Sequence, residues 1–293
     1  IFGNDLATFP GTGRVEFATF CANNQIYVLG GSSGTGYVKD LYGYSPSENK
    51  WAALASYKES AYGVSVCTQD DNVYAVAGIT SARWYTELYT YSSNTWTQFA
   101  SLESDKKMEC IFPTSFVYKD SIILIGGESL GESNLAVRDT IYRYDMINQE
   151  WAGCGNFPVP IKAGVSITSG DSVFVGLGNK PEDGPDERGL WINTSGNWSN
   201  WTRLAETPPE MKNVCSGVLF KDCLYYIDNG GVIWRFNLTT KDWSKMSSFP
   251  KKLTNTPVDY RIFLLNDTIY IFLINYYSSY LKTYDPLWDV PQK

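Results

Sequence analysis

Histidine is absent from the sequence. That gap removes Ser-His-Asp and Cys-His couples, every histidine-ligated zinc site, and the only side chain whose unperturbed pKa lies near neutrality. Any acid or base must therefore be Glu, Asp, Lys, Tyr or Cys. Cysteine is sparse: six residues, at 21, 67, 110, 154, 215 and 223, contain no CxxC pair and are too few for a disulfide scaffold, so they read as buried thiols. No apolar run reaches the roughly 20 residues that a membrane span needs. Basic residues are outnumbered, 24 Lys and Arg against 31 Asp and Glu, for a net charge of −7. That balance argues against a surface built to neutralise phosphates, so nucleic acid is not an expected partner. Ile1 is not an initiator Met, which reads as a processed chain or a portion of a longer one.

What is plentiful is aromatic residues, 15% of the chain, together with 25 Gly and 13 Pro, a composition suited to short strands and tight turns. Tryptophan recurs at blade-like intervals: Trp51, Trp96, Trp151, Trp201, Trp243 and Trp288 are separated by 45, 55, 50, 42 and 45 residues. Between tryptophans the order of signals repeats as a β-rich run ending in glycine, a loop, a Tyr-x-Tyr run, a polar turn, then Trp. The first unit reads Ile26-Tyr27-Val28-Leu29-Gly30-Gly31, Leu41-Tyr42-Gly43-Tyr44 and Trp51. The third reads Ile122-Ile123-Leu124-Ile125-Gly126-Gly127, Ile141-Tyr142-Arg143-Tyr144 and Trp151. Elsewhere the glycine pair erodes, to Ala77-Gly78, Gly176-Leu177-Gly178 and Asn229-Gly230-Gly231, and near Leu273 it is gone.

This pattern resembles the kelch repeat. The resemblance implies an all-β fold, a six-bladed kelch-type β-propeller with four antiparallel strands per blade, forming a single domain over residues 1–293. The tryptophans are expected to be wedges between blades with hydrogen-bonded indole nitrogens. Only five residues follow Trp288, too few for a full outer strand. Residues near 1–9 are therefore expected to complete the last blade and close the ring, removing a sheet edge.

Loops carried on a rigid scaffold are where sites are usually built. The loops between second and third strands hold Lys39, Arg83, Glu128, Arg138 and an acidic run at 182–188. The connections between units bring Arg14 and Lys162 to the same end. The sharpest pairing is Gly127-Glu128-Ser129-Leu130-Gly131 followed by Arg138-Asp139, a carboxylate directly after the inner strand and a guanidinium on the same loop. Arg can hold a carboxylate bidentately, and a partly desolvated Glu can act as general acid or base; a plain loop salt bridge is the alternative. Asn193, Asn197, Asn200, Asn237 and Asn266 each begin an Asn-x-Ser/Thr triplet.

Two adjacent segments resemble a narrower family. Residues 157–164, Phe-Pro-Val-Pro-Ile-Lys-Ala-Gly, leading through 171–178, are similar to the opening blade of bacterial N-acetylneuraminate epimerase, the sialic acid mutarotase family. Residues 121–129 are similar to that family's closing blade. The swapped order looks like a cyclically permuted branch. The resemblance implies a cofactor-free, metal-free enzyme of the periplasm or outside the cell that interconverts the anomers of an acidic sugar. Its Gly-Glu…Arg loop is matched by Glu128 and Arg138. On this reading Glu128 and Arg138 are catalytic, and Arg14, Lys39, Arg83, Lys162 and Arg188 bind substrate. The competing expectation is a cytoplasmic protein-binding propeller, like the substrate-recognition domain of BTB-kelch ubiquitin-ligase adaptors, whose basic loops would receive an acidic peptide.

Overall fold

The computed structural model describes every residue except 82–83, 102–108, 131–134, 180–187, 254–256 and 293, with backbone alone for Trp84, Tyr85, Leu130 and Leu135. Arg83 and residues 182–187 of the acidic run thus lie outside the described residues. The described residues are all-β, with one short 3-10 turn among them at Pro286–Trp288. Among the described residues no helix is long and apolar enough to cross a membrane.

Six four-stranded antiparallel sheets repeat one plan, and the chain divides into two compact units, Ile1–Ser60 with Pro208–Lys293, and Ala61–Thr207. In the first unit, one sheet runs Ala18–Ala22, Gln25–Leu29, Leu41–Ser45, Lys50–Leu54, and a second runs Val214–Phe220, Cys223–Asp228, Val232–Asn237, Trp243–Ser248. The second unit holds the three intervening sheets. Its middle sheet is Thr114–Tyr118, Ser121–Ile125, Thr140–Asp145, Glu150–Asn156. In each sheet the second strand is the most buried: Ile26, Val28 and Leu29, like Ile122, Ile123 and Ile125, have no exposure. Runs of β-branched and aliphatic residues suit a strand covered on both faces.

The remaining sheet of the first unit is assembled from distant segments. Val258–Leu265, Thr268–Asn275 and Ser279–Tyr284 pair in order, and Phe2–Asp5 adds to the edge, with Phe2 opposite Tyr284 and Asp5 opposite Lys282. Phe2–Asp5 thus supplies the outer strand of this sheet, a shorter span than the 1–9 foreseen. Lys282 fastens it, its ammonium reaching the Gly3 carbonyl and the Asp5 carboxylate, each at 3.0 Å, while Lys251 holds the other Asp5 oxygen at 3.2 Å. These lysines, Lys282 foremost, hold the Asp5 carboxyl below its ordinary range.

Five of the six periodic tryptophans lie on or beside outermost strands. Trp51 packs edge-on against Phe9 (5.1 Å) and against Tyr44 and Phe272, and donates to the Ala7 carbonyl (3.0 Å). Trp201 likewise donates to the Trp198 carbonyl, whereas the indole nitrogens of Trp151 and Trp243 have no partner among the described residues. The sixth departs from the pattern. Trp288 is 72% exposed, because it sits in the 3-10 turn beyond its sheet, whose outer strand is supplied by Phe2–Asp5. Trp51→Ala is expected to lower unfolding stability by about 3–5 kcal/mol, read from the urea midpoint. Trp288→Ala is expected to stay within about 0.5 kcal/mol.

Candidate functional site

The loop carrying Glu128 is a small ribbon. Glu128–Leu130 pairs with Leu135–Val137, Glu128 opposite Val137 and Ser129 opposite Ala136. Gly126 and Gly127 lead into it with φ of 64° and 88°, backbone that favours glycine. A Cβ on Gly126 would stand 2.1 Å from the Ile161 carbonyl, so no side chain fits there. The ribbon is stitched down on both sides. Glu128 exchanges backbone hydrogen bonds with Ile111, Gly127 donates to Ile161, and Ile161 donates to Arg138. This last stitch brings Lys162 alongside.

Lys162 Nζ lies 2.9 Å from Glu128 Oε1, with the two side chains 26% and 16% exposed. The carboxylate thus finds a lysine 34 residues further along the chain rather than the arginine on its own loop. Arg138 Nε donates instead to the Ser129 hydroxyl, and Ser129 is 1% exposed. The separation has a simple cause. Successive side chains of a strand point to opposite faces, so Glu128 and Ser129 leave the ribbon on opposite sides, and the guanidinium follows Ser129. The expected meeting of Glu128 with Arg138 is not formed; the structure joins Glu128 to Lys162.

The first sheet carries a ribbon of the same build, Ser32–Ser33 paired with Gly36–Tyr37, in which Val38 donates to Gly31 as Arg138 donates to Gly127. Ser32 and Val38 there hold the places of Glu128 and Arg138. The ribbon of the first sheet is thus built without either charge.

The other named cations have separate settings. Arg14 has no exposure: its guanidinium forms a bidentate pair with Asp40 and also donates to the Thr12 and Gly30 carbonyls. These bonds, and the Phe9 ring 5.2 Å from Cζ, occupy it fully, so the expectation that Arg14 contacts substrate gives way to a structural role. Lys39 is exposed in the first unit, its carbonyl accepting from Tyr57. Arg188 is half-buried just before the strand Gly189–Asn193. Among the Asn-x-Ser/Thr triplets, Asn193 is 2% exposed and bonded to the Asn197 and Asn200 carbonyls, which makes it a loop clamp rather than a free amide.

All six cysteines are free thiols. Burial pushes Cys21, Cys67, Cys110 and Cys215 up to about 12, in Cys110 against the opposing pull of the Thr86 hydroxyl and Arg138. Their thiolates are the nucleophilic form, so these four should be inert to Ellman's reagent at pH 8 and react once urea is added. A folded-state pKa above the unfolded value of 9.0 gives stability that is whole below pH 9 and lost as pH rises toward 12. Buried Tyr44, also raised to about 12, acts in the same direction. The melting temperature should accordingly fall steeply between pH 9 and 12.

Sequence reading missed two features. One is Asp228, with no exposure, whose carboxylate accepts from the backbone N–H groups of Gly230 (2.8 Å), Val232 (3.0 Å) and Lys212 (3.3 Å) and from the Trp234 indole (3.0 Å). The Asp-Asn-Gly-Gly turn was its only signal. The other is a cavity of about 500 Å³ bordered by Trp288.

Repeated antiparallel four-stranded sheets, glycine pairs after the inner strands and tryptophan at the outer ones follow the plan of kelch repeats, and the kelch motif matches residues 13–56 of this chain. It is 24% identical over 213 residues to N-acetylneuraminate epimerase of Pasteurella multocida (strain Pm70), covering 70% of this chain and 51% of that protein. It is 24% identical over 172 residues to Kelch-like protein 35 of Mus musculus, 58% of this chain and 28% of that protein. It is 21% identical over 237 residues to Kelch repeat and BTB domain-containing protein 2 of Horsepox virus, 80% of this chain and 36% of that protein. The chain thus spans about half the length of the epimerase and about a third of the kelch and BTB proteins.

Proposed function

We propose that the chain is a cofactor-free mutarotase acting on the anomeric centre of an acidic sugar such as N-acetylneuraminate, with Glu128 and Lys162 as its proton couple. The observation that carries this reading is the half-buried Glu128–Lys162 pair at 2.9 Å, placed where the equivalent ribbon of the first sheet has no charge. Opening a hemiketal needs one group to take the anomeric hydroxyl proton and another to protonate the ring oxygen. Glu128 takes the hydroxyl proton as that oxygen's electron pair becomes the new carbonyl. The ring C–O pair passes to the ring oxygen, which receives the Lys162 proton. Rotation of the open chain and the reverse transfers give the other anomer and restore both groups. Arg138, held by Ser129 on the opposite face of the ribbon, acts in this proposal as an outer anion contact rather than a partner of Glu128. Similarity to the Pasteurella multocida epimerase, and the resemblance of residues 121–129 and 157–178 to that family, support the reading.

The test is NMR of freshly released α-N-acetylneuraminate with and without protein. Accelerated appearance of the β anomer is expected; an unchanged rate at stoichiometric protein rejects the proposal. The second reading, a protein-binding kelch domain, draws on the kelch and BTB protein of Horsepox virus, whose similarity runs over 80% of this chain. Inactivity with the sugar together with saturable binding of an acidic peptide would favour it.

A further inference from the structure

We propose that the cavity beside Trp288 binds an organic ammonium cation, independently of the sugar site. The cavity, about 500 Å³, lies in the first unit where the hairpin turn at Asn266–Asp267 approaches the 3-10 turn Pro286–Trp288. That volume falls within the range of small-molecule sites.

Three features of its wall point to the same chemistry. First, the wall is aromatic: Phe2, Phe220, Tyr284 and Trp288 border it, and Trp288 is the one periodic tryptophan the fold leaves open, at 72% exposure. Ring faces attract cations, tryptophan most strongly. Second, its charged side chains are the carboxylates of Asp267 and Asp285, and no Lys or Arg side chain borders it. Third, hydroxyl protons on its wall are already spent within the fold, that of Tyr284 on the Asp289 carboxylate. Asp285 spends one oxygen capping the Leu287 N–H, and Thr268 gives its hydroxyl proton to the Asn266 carbonyl. A neutral sugar would ask for donors and acceptors alike, whereas an ammonium ion needs only acceptors and π faces.

The molecule already draws one of its own cations to this wall. Lys221 Nζ stands 5.3 Å from the centroid of Phe220. It leaves the Trp288 face and the Asp267 carboxylate for a ligand.

Choline and its neutral carbon isostere, 3,3-dimethylbutan-1-ol, are the probes, titrated against the whole chain by calorimetry and by the Trp288 indole NMR signal. Choline should bind saturably and shift that signal, and the isostere should bind at least roughly tenfold more weakly. Trp288→Ala and Asp267→Asn should each weaken choline binding about five- to tenfold while circular dichroism and melting temperature stay at wild-type values. Equal affinity for the isostere would overturn the proposal in favour of a merely apolar hollow. Saturable binding of methyl glucoside at Trp288, or no choline response, would also overturn it.

Discussion

Glu128→Gln should return α-N-acetylneuraminate to its spontaneous rate of anomer exchange, a loss of roughly 10²- to 10⁴-fold. The amide keeps the shape of the carboxylate and still offers an oxygen to Lys162, so the ribbon anchored by Ile111 should hold. What it lacks is basicity. Lys162→Met tests the other half: it keeps much of the aliphatic stem, leaves Glu128 without its ammonium, and should lower the rate by a similar factor. Exchange spectroscopy between the two anomeric resonances reads both, with the melting temperature as a check on folding. Full activity in Glu128→Gln would end the proton-couple assignment even if the wild-type protein proved to be a mutarotase. Arg138→Ala is expected to be milder and to act on KM, since its guanidinium lies on the other face of the ribbon with Ser129.

Asp228→Ala is expected to remove about 3–5 kcal/mol of stability, enough to unfold a marginal domain at moderate temperature. Alanine would orphan three backbone donors and the Trp234 indole at a position with no solvent access, and Trp234 itself is only 2% exposed. Donors deprived of an acceptor in a dry interior forfeit their hydration as well as their bond. Asp228→Asn should fall between alanine and wild type: its carbonyl oxygen can still accept, but its NH₂ confronts other donors. Urea unfolding should show a lower midpoint with an unchanged slope, the pattern of altered stability without altered compactness. A midpoint within error of wild type in Asp228→Ala would mean that the turn rearranges to satisfy its own amides.

The repeat was legible because its signals are local. Glycine pairs mark where inner strands end, Tyr-x-Tyr marks the third strand, and tryptophan marks the fourth, each for reasons contained within a few residues. The joining of Phe2–Asp5 to the distal sheet followed from counting what was missing after Trp288. The site was legible only in outline. Glu128, Arg138 and Lys162 were all marked, but which of them meet depended on the pairing of Glu128 with Val137, and hence on a two-residue alternation that the spacing along the chain does not express. Arg14 looked like an available cation because Asp40, its partner 26 residues away, carries no mark in the sequence. Trp288 kept the period but not the environment, since periodicity records where a residue falls in the repeat and not whether a neighbouring strand covers it.

The edge strand from the chain's opening residues has a consequence for how the molecule reaches its native state. Gly3 and Lys282 are 279 positions apart, yet they must meet before the Ser279–Tyr284 strand has a neighbour on its open side. Contacts of such long range form late. Until then a row of unpaired amides and carbonyls is presented to other molecules. Refolding yield should therefore fall with protein concentration more steeply than stability alone would suggest, and a peptide matching the opening residues, added in excess, should compete for the vacancy and protect against clumping.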